Sequence, residues 1–350
     1  MKYEDFRTEV KEHILSYLGD TIENPTVSIL PKQKNNGELI YGLSIRSETA
    51  SEIITPVLYL DRYYQRFEEG ETMESVMKQL AHDYAEVYKS HDIDDTRVND
   101  FLDYDYAKDH VLPRLVNYEM NEDRLKTMPH TKYLDLAVTY HITIHADSDG
   151  IQSIPITNDL LDKFGITTDD LHEQSMTNLS KSEPVIQSMQ EIMQKMFCDD
   201  PELGALALGE DIDPPMLVIS NNTNVYGAAE ILNDSVTEAL TERLGGDFFV
   251  LPSSVHEVLA IPVSEDFDPT ELASMITGIN NDVVKNEEVL SNHAYVYDSK
   301  RHELLPAFGQ DHELNETKDH QQDKVLSIKP DDPEPVQGLE HPRRQLIHGR

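Results

Sequence analysis

Apolar residues recur along this chain in two rhythms, and each rhythm names an element. Near the start, Phe6, Val10, Ile14 and Leu18 follow at four-residue steps with Tyr3 and Tyr17 beside them. That spacing predicts one face of an amphipathic helix over residues 3–18, ended by Gly19. Residues 26–30 and 38–45 read as two strands, and Asn35-Asn36-Gly37 supplies the hairpin turn between them. The apolar run 53–60 predicts a third strand. From 72 to 88 the positions Met73, Val76, Met77, Leu80, Ala81, Tyr84, Val87 and Tyr88 form a 3-4 stripe. This predicts a second amphipathic helix whose aromatic and methionine content is core packing.

The pattern continues with runs 134–145 and 151–156 flanking the turn signature Asp147-Ser148-Asp149-Gly150. Thr167 is placed to cap a helix, with Asp169 and Asp170 in its first turn. A further helix is predicted to begin at Ser182 or Glu183, with Pro184 tolerated in the first turn. Ile186, Met189, Ile192, Met193, Met196 and Phe197 would be its core face. Residues 198–215 show no periodicity. The stretch 216–263 then reads strand, polar turn, helix, Gly-Gly stop, strand, tight polar turn, strand. Asp268-Pro269-Thr270-Glu271 opens a last helix, with Asp268 as cap, Pro269 at the first position and Glu271 reaching back. Leu272, Met275, Ile276, Ile279 and Val283 are its predicted buried face. Strands at 293–298 and 303–305 close the folded part, and the polar chain beyond Phe308 is predicted to be disordered. Helices and strands alternate irregularly and by hairpins, so the expected class is α+β, with antiparallel or mixed sheets flanked by amphipathic helices. The expected division is an N-terminal α+β part (1–125), a C-terminal α+β part (126–308) and a tail (309–350).

Charge narrows the function classes. The 350 residues include 66 acidic against 29 basic, a net charge of −37, while 38% are hydrophobic. The tail holds nine acids and six bases, so the acidity belongs to the body. A surface of that sign repels nucleic acid and anionic membrane. It admits a cation, a protein partner with a basic face, or imitation of the charge of DNA. No apolar run approaches 18 residues, so no membrane span is expected. A single cysteine, Cys198, excludes an internal disulfide and suggests a reducing compartment. The first residues lack the apolar core of a signal peptide, and the expected location is the cytoplasm.

The standard catalytic signatures are missing. His256-Glu257, His302-Glu303 and His312-Glu313 each lack the second histidine of a zincin helix, and there is no Walker loop, GxGxxG or GxSxG. A lone cysteine builds no Cys-rich zinc site, and Asp199-Asp200 beside Cys198 would raise its thiol pKa, the wrong direction for a nucleophile. His141 and His145 fall on one face of a predicted strand, roughly 13 Å apart and too far to share a metal; they read as partly exposed strand residues. No metal or cofactor is expected.

Two clusters in 216–263 remain. Asn221-Asn222-Thr223-Asn224 with Tyr226-Gly227 lies between a strand and a helix, where backbone N–H groups can hold an anion, although ordinary capping needs the same residues. Pro252-Ser253-Ser254-Val255-His256-Glu257 lies between two strands and contains the components of a nucleophile, a base and an orienting carboxylate. Consecutive strand side chains diverge, so His256 and Glu257 should part while Ser254 and His256 share a face. The structural alternative is a turn held by the serine hydroxyls, with His256 donating to backbone.

The combination of YGA at 226–228, GGDFF at 245–249 and LPSSVHEV at 251–258 resembles a bacterial domain-of-unknown-function family of the DUF 5688 type. The YEDF of the first helix, PHTKYLDLAVTY at 129–140 and ITNDLLDKFGI at 156–166 resemble it as well. The likeness covers roughly residues 1–308. More distantly, ITNDLLDKFGITTDDL and the 216–263 unit are similar to the YtpQ-type proteins, where the second turn looks like PHxDV. The resemblance implies an intracellular bacterial protein of α+β class and supplies no activity, cofactor or catalytic residue. The expected function is therefore a non-enzymatic binding or regulatory protein that engages another protein. Its candidate surface is Asn221, Tyr226, Gly227, Ser253, Ser254, His256 and Glu257. A hydrolase using Ser254, His256 and Glu257, and an acidic DNA mimic, are the alternatives. The sequence sets no oligomeric state.

Overall fold

The computed structural model describes residues 1–47, 55–90, 100–147, 150–196, 215–264 and 267–307. Cys198, most of the unpatterned segment after it, and the C-terminal tail lie outside the described residues. The described strands form three sheets, antiparallel in every pairing.

The N-terminal sheet follows the local patterns closely. Strands β1 (Pro25–Gln33) and β2 (Leu39–Ser47) pair through the Asn35–Gly37 turn, and β3 (Val57–Tyr59) adds to β2. The helices Tyr3–Leu18 and Met73–Ser90 carry the predicted apolar faces. Phe6, Val10 and Ile14 share a core with Val76, Leu80, Tyr84, Leu43 and Ile45. Buried Tyr84 is pinned by accepting the Ile45 N–H (2.7 Å) and donating to the Pro56 carbonyl (3.0 Å).

The second sheet is centred on β6 (Leu136–Asp147). On one side it pairs with β4 (Val111–Asn117); β5 (His130–Tyr133) and β7 (Gly150–Pro155) share its other edge. Because strand side chains alternate, the two faces differ. Val111, Leu115, Val138, Tyr140 and Ile142 enter the largest core. The opposite face presents Arg114, Thr139, His141 and Ser153.

The third sheet runs β13-β12-β10-β11-β9-β8. Its strands are β8 (Pro184–Ser188), β9 (Leu217–Asn221), β10 (Phe248–Pro252), β11 (Val258–Pro262), β12 (Tyr295–Asp298) and β13 (Glu303–Pro306). Ile219, Phe248, Val250, Val258 and Tyr295 share the largest core with β4 and β6. Phe249, Leu251 and Ile261, on the other face, pack with Leu272 and Ile276 of the helix Pro269–Asp282.

Three expectations are corrected. The helix predicted from Ser182 is strand β8 through Ser188, followed by a helix over Met189–Met196. Ser188 Oγ accepts from Glu191 N (3.1 Å) while Glu191 Oε2 accepts from Ser188 N (2.8 Å), a capping box that fixes the true start. Met189 and Met193 are only half-buried. On the last helix Leu272, Ile276 and Asn280 are buried, whereas Val283, just past its end, is 78% exposed and Met275 and Ile279 face outward. Finally, His141 is buried and does not share a face with His145. A bulge between Thr143 and His145 inserts one residue into β6, pairs His145 with Gln152 and swaps the face.

Candidate functional site

The polar face of the β4–β6–β7 sheet floors a cavity of about 540 Å³. Arg114, Val116, His141, Ile151, Ser153 and Pro155 form the floor, as their registers require. Lys32, Lys34, Asn35 and Tyr59 of the N-terminal sheet line another wall. Tyr226, Val255 and His256, from the two turns of the 216–263 stretch, line a third, and Arg124 lies at the end of the short helix Glu122–Leu125.

The two sequence clusters meet here. Asn221 Oδ1 accepts from Thr223 N (3.1 Å) and Thr223 Oγ1 (2.8 Å), and Asn221 Nδ2 donates to the Val225 carbonyl (2.9 Å). This closed turn leads into Tyr226, a left-handed residue with φ 56 and ψ 26. Tyr226 N donates to His256 Nδ1 (3.1 Å), which leaves the ring proton on Nε2, and the two rings lie 5.6 Å apart. Gly227 follows because nothing larger fits. A Cβ there would lie 2.3 Å from Ser220 Oγ, 2.6 Å from Asn221 N and 2.8 Å from the His256 carbonyl. The YGA and SSVHE motifs are thus the two halves of one junction.

That junction does not assemble a hydrolytic relay. Ser254 Oγ accepts from the His256 backbone N–H (3.0 Å), and Ser253 Oγ donates to Glu257 Oε1 (3.3 Å). Among the described residues neither serine hydroxyl bonds to the imidazole. The expectation that His256 donates to backbone is reversed, since its ring nitrogen accepts. A second Ser-His-Asp grouping, at Asp135, is also no relay: the carboxylate accepts from Ser291 Oγ (2.7 Å), His293 Nδ1 (3.0 Å) and Tyr295 OH (2.6 Å). Every donor converges on Asp135, so the group ties the β5–β6 turn to β12. Among the described residues no three His, Cys, Asp or Glu side chains group as metal ligands.

The unusual chemistry is cationic. Lys32, Lys34, Arg114 and Arg124 line the cavity against two carboxylates, Glu287 and Glu288. Glu287 is taken by Lys34 at 2.7 Å, and Glu288 lies 3.4 Å from Lys285. Among the described residues no carboxylate pairs with Arg114 or Arg124. Arg114 is 8% exposed; it donates to Ser153 Oγ (2.7 Å) and stacks 3.8 Å from the centre of the Tyr226 ring. Burial, joined by repulsion from Arg124, pushes its pKa down to about 10, so it stays charged at neutral pH. Burial also lowers Arg124. Burial and then the two guanidiniums hold His141 well below the usual histidine range, and among the described residues its buried Nδ1 has no partner. The side chain beside the arginines is therefore neutral.

Of the sequence-predicted residues, Tyr226 and His256 line the cavity. Asn221, Gly227, Ser253, Ser254 and Glu257 build the turns behind it. Arg114, Arg124, His141, Lys32 and Lys34 were not foreseen as a group, because strand pairing and not sequence proximity assembles them. One local signal existed: Arg114 interrupts the apolar run 111–116.

Fold and site together define an α+β protein with a cationic cavity walled by two of its sheets and by the paired turns. A family model described as a family of unknown function (DUF5688) matches residues 3–299, and the chain belongs to that family. No curated protein and no solved structure matches it.

Proposed function

We propose that this is a non-enzymatic binding or regulatory protein of the bacterial cytoplasm, and that its cavity takes a small anionic ligand. One observation carries the reading: two buried or half-buried guanidiniums face the same cavity with no carboxylate partner among the described residues. Burying a charge costs several kcal/mol unless a counter-charge or hydrogen bonds compensate it. A chain so rich in acids had many ways to supply one. A cavity of this size falls within the range of small-molecule sites, about 300–1,000 Å³. The acidic exterior supports a further element of the proposal: a protein partner with a basic face responds to the occupied state.

The test is thermal unfolding at low ionic strength with phosphate-bearing, carboxylate-bearing and neutral small molecules. An anion at 100 times its Kd should stabilise the fold by about 2.7 kcal/mol. Arg114→Met and Arg124→Gln should abolish the shift. If anions shift wild type and both variants alike, or shift none of them, the reading is wrong.

A further inference from the structure

Resting on the anion-binding reading, we infer that the ligand is a phosphate monoester, with its phosphoryl group at the Arg114–Arg124 end and its organic part toward Tyr59 and Lys32. Three features separate a phosphoryl group from a carboxylate. First, the guanidiniums come from different elements, β4 and the helix Glu122–Leu125, and Arg124 is close enough to depress Arg114. One guanidinium fork satisfies a carboxylate in a plane; two forks from separate directions suit the tetrahedral oxygens of a phosphoryl group. Second, the lining cations exceed the lining carboxylates by two, which matches the dianion a phosphate monoester carries above its second pKa of about 6.

Third, Arg114 is already oriented. Ser153 holds one of its nitrogens and the Tyr226 ring supports its plane, leaving the remaining donors of a five-donor fork for the cavity. Tyr226 is itself fixed in its left-handed conformation by the bond to His256 and the close packing of Gly227. This gives the family motifs a role as positioning residues for the anion fork. At the other end, Lys32 and Lys34 sit 5.7 and 5.8 Å from the Tyr59 ring. Lys34 is neutralised by Glu287, while Lys32 has no carboxylate partner among the described residues and remains for the ligand's polar body.

The experiment is calorimetric titration of the full chain with a matched set: glucose 6-phosphate, glucose 6-sulfate, glucuronate and glucose, with adenosine 5′-monophosphate and inorganic phosphate alongside. At least one monoester should bind, with inorganic phosphate weaker but measurable. The sulfate and carboxylate analogues should be at least about tenfold weaker than the phosphate, and glucose silent. Arg114→Lys keeps the charge but loses the fork, and should weaken the phosphate at least about tenfold. Arg124→Gln should do the same, and Lys32→Ala should weaken it less. Circular dichroism of each variant separates lost binding from lost folding. Glucuronate binding as tightly as glucose 6-phosphate would overturn the phosphoryl assignment and leave the anion-binding reading standing. Absence of binding by every phosphate probe at about 10 mM, with other anions still bound, would do likewise. No binding by any anion would overturn both.

Discussion

Two polar regions adjoin where the N-terminal sheet meets the rest of the chain, and they differ in whether they bury charge. At the Asn35–Gly37 turn the side chain of Asn36 is fully paired, and the orphan there among the described residues, Asn35 Oδ1, is an uncharged amide oxygen. Asn36 Nδ2 donates to the carbonyls of Asn286 (2.6 Å) and Val289 (2.7 Å), and its Oδ1 accepts from Asn121 Nδ2 (2.8 Å). Its backbone N–H donates to Asn121 Oδ1 (2.9 Å), and Asn35 Nδ2 reaches the Glu287 carbonyl (2.9 Å). In the cavity that Asn35 also lines, among the described residues, Arg114 and Arg124 have no counter-charge and His141 Nδ1 has no partner. Paired neutral amides are what a structural seam needs; buried charge without a counter-charge costs stability and persists when something else selects for it. The contrast separates a seam from a binding site within one molecule.

The largest effect should come from breaking the seam. Asn36→Ala removes three side-chain hydrogen bonds and puts an alanine at φ 58, which should cost roughly 3 kcal/mol in urea unfolding. Asn36→Gly, which tolerates that backbone, should recover about 1 kcal/mol of the loss. Equal stability of the two variants would mean that the backbone conformation is not part of the seam's cost. Next comes Gly227→Ala, whose Cβ must displace backbone on two sides; roughly 2 kcal/mol of destabilisation is expected. The shift should also disturb Tyr226 and His256, visible as chemical-shift changes of the His256 ring. Unchanged stability would show that the turns do not meet as tightly as described.

A further variant probes a buried acid. Glu230 is 4% exposed and accepts from Ser182 Oγ (2.8 Å); burial pushes its carboxyl up to about 7 from an ordinary 4.5. Between these values the folded chain keeps a proton that the unfolded chain has lost. Stability from this group is therefore full below about 4.5, falls as pH rises through the window, and is level beyond about 7. Glu230→Gln should flatten that slope by an amount on the order of 2 kcal/mol. A wild-type and variant profile of equal slope between about pH 5 and 7.5 would remove Glu230 from the account.

What the sequence revealed depended on range. The helix Tyr3–Leu18, the Asn35–Gly37 hairpin and the Thr167 and Asp268 caps are encoded within a few residues, and they appear as expected. Strand β8 was missed because Ile186, Met189 and Met193 keep a helical spacing across the strand–helix boundary. The Ser188-x-x-Glu191 box that marks the boundary is a local signal that the helical spacing does not contain. The turns at 221–227 and 252–257 were legible as clusters, but their meeting required the pairing of β9 with β11. Arg114 shows in the sequence only as an interruption and His141 only as a strand residue, since β4 and β6 must pair before their side chains share a face. Nothing local links Lys32 to either.

The central claim is that the cavity arginines are held for a ligand and not for the fold. Urea unfolding of Arg114→Met, with and without about 10 mM phosphate, tests it most directly. The unliganded variant should match wild type or exceed it by about 1 kcal/mol, because an apolar side chain replaces a buried charge without a counter-charge. The stabilisation by phosphate expected in wild type should disappear in the variant. A variant destabilised by roughly 2 kcal/mol or more, with the phosphate effect intact, would make Arg114 part of the seam and contradict the account.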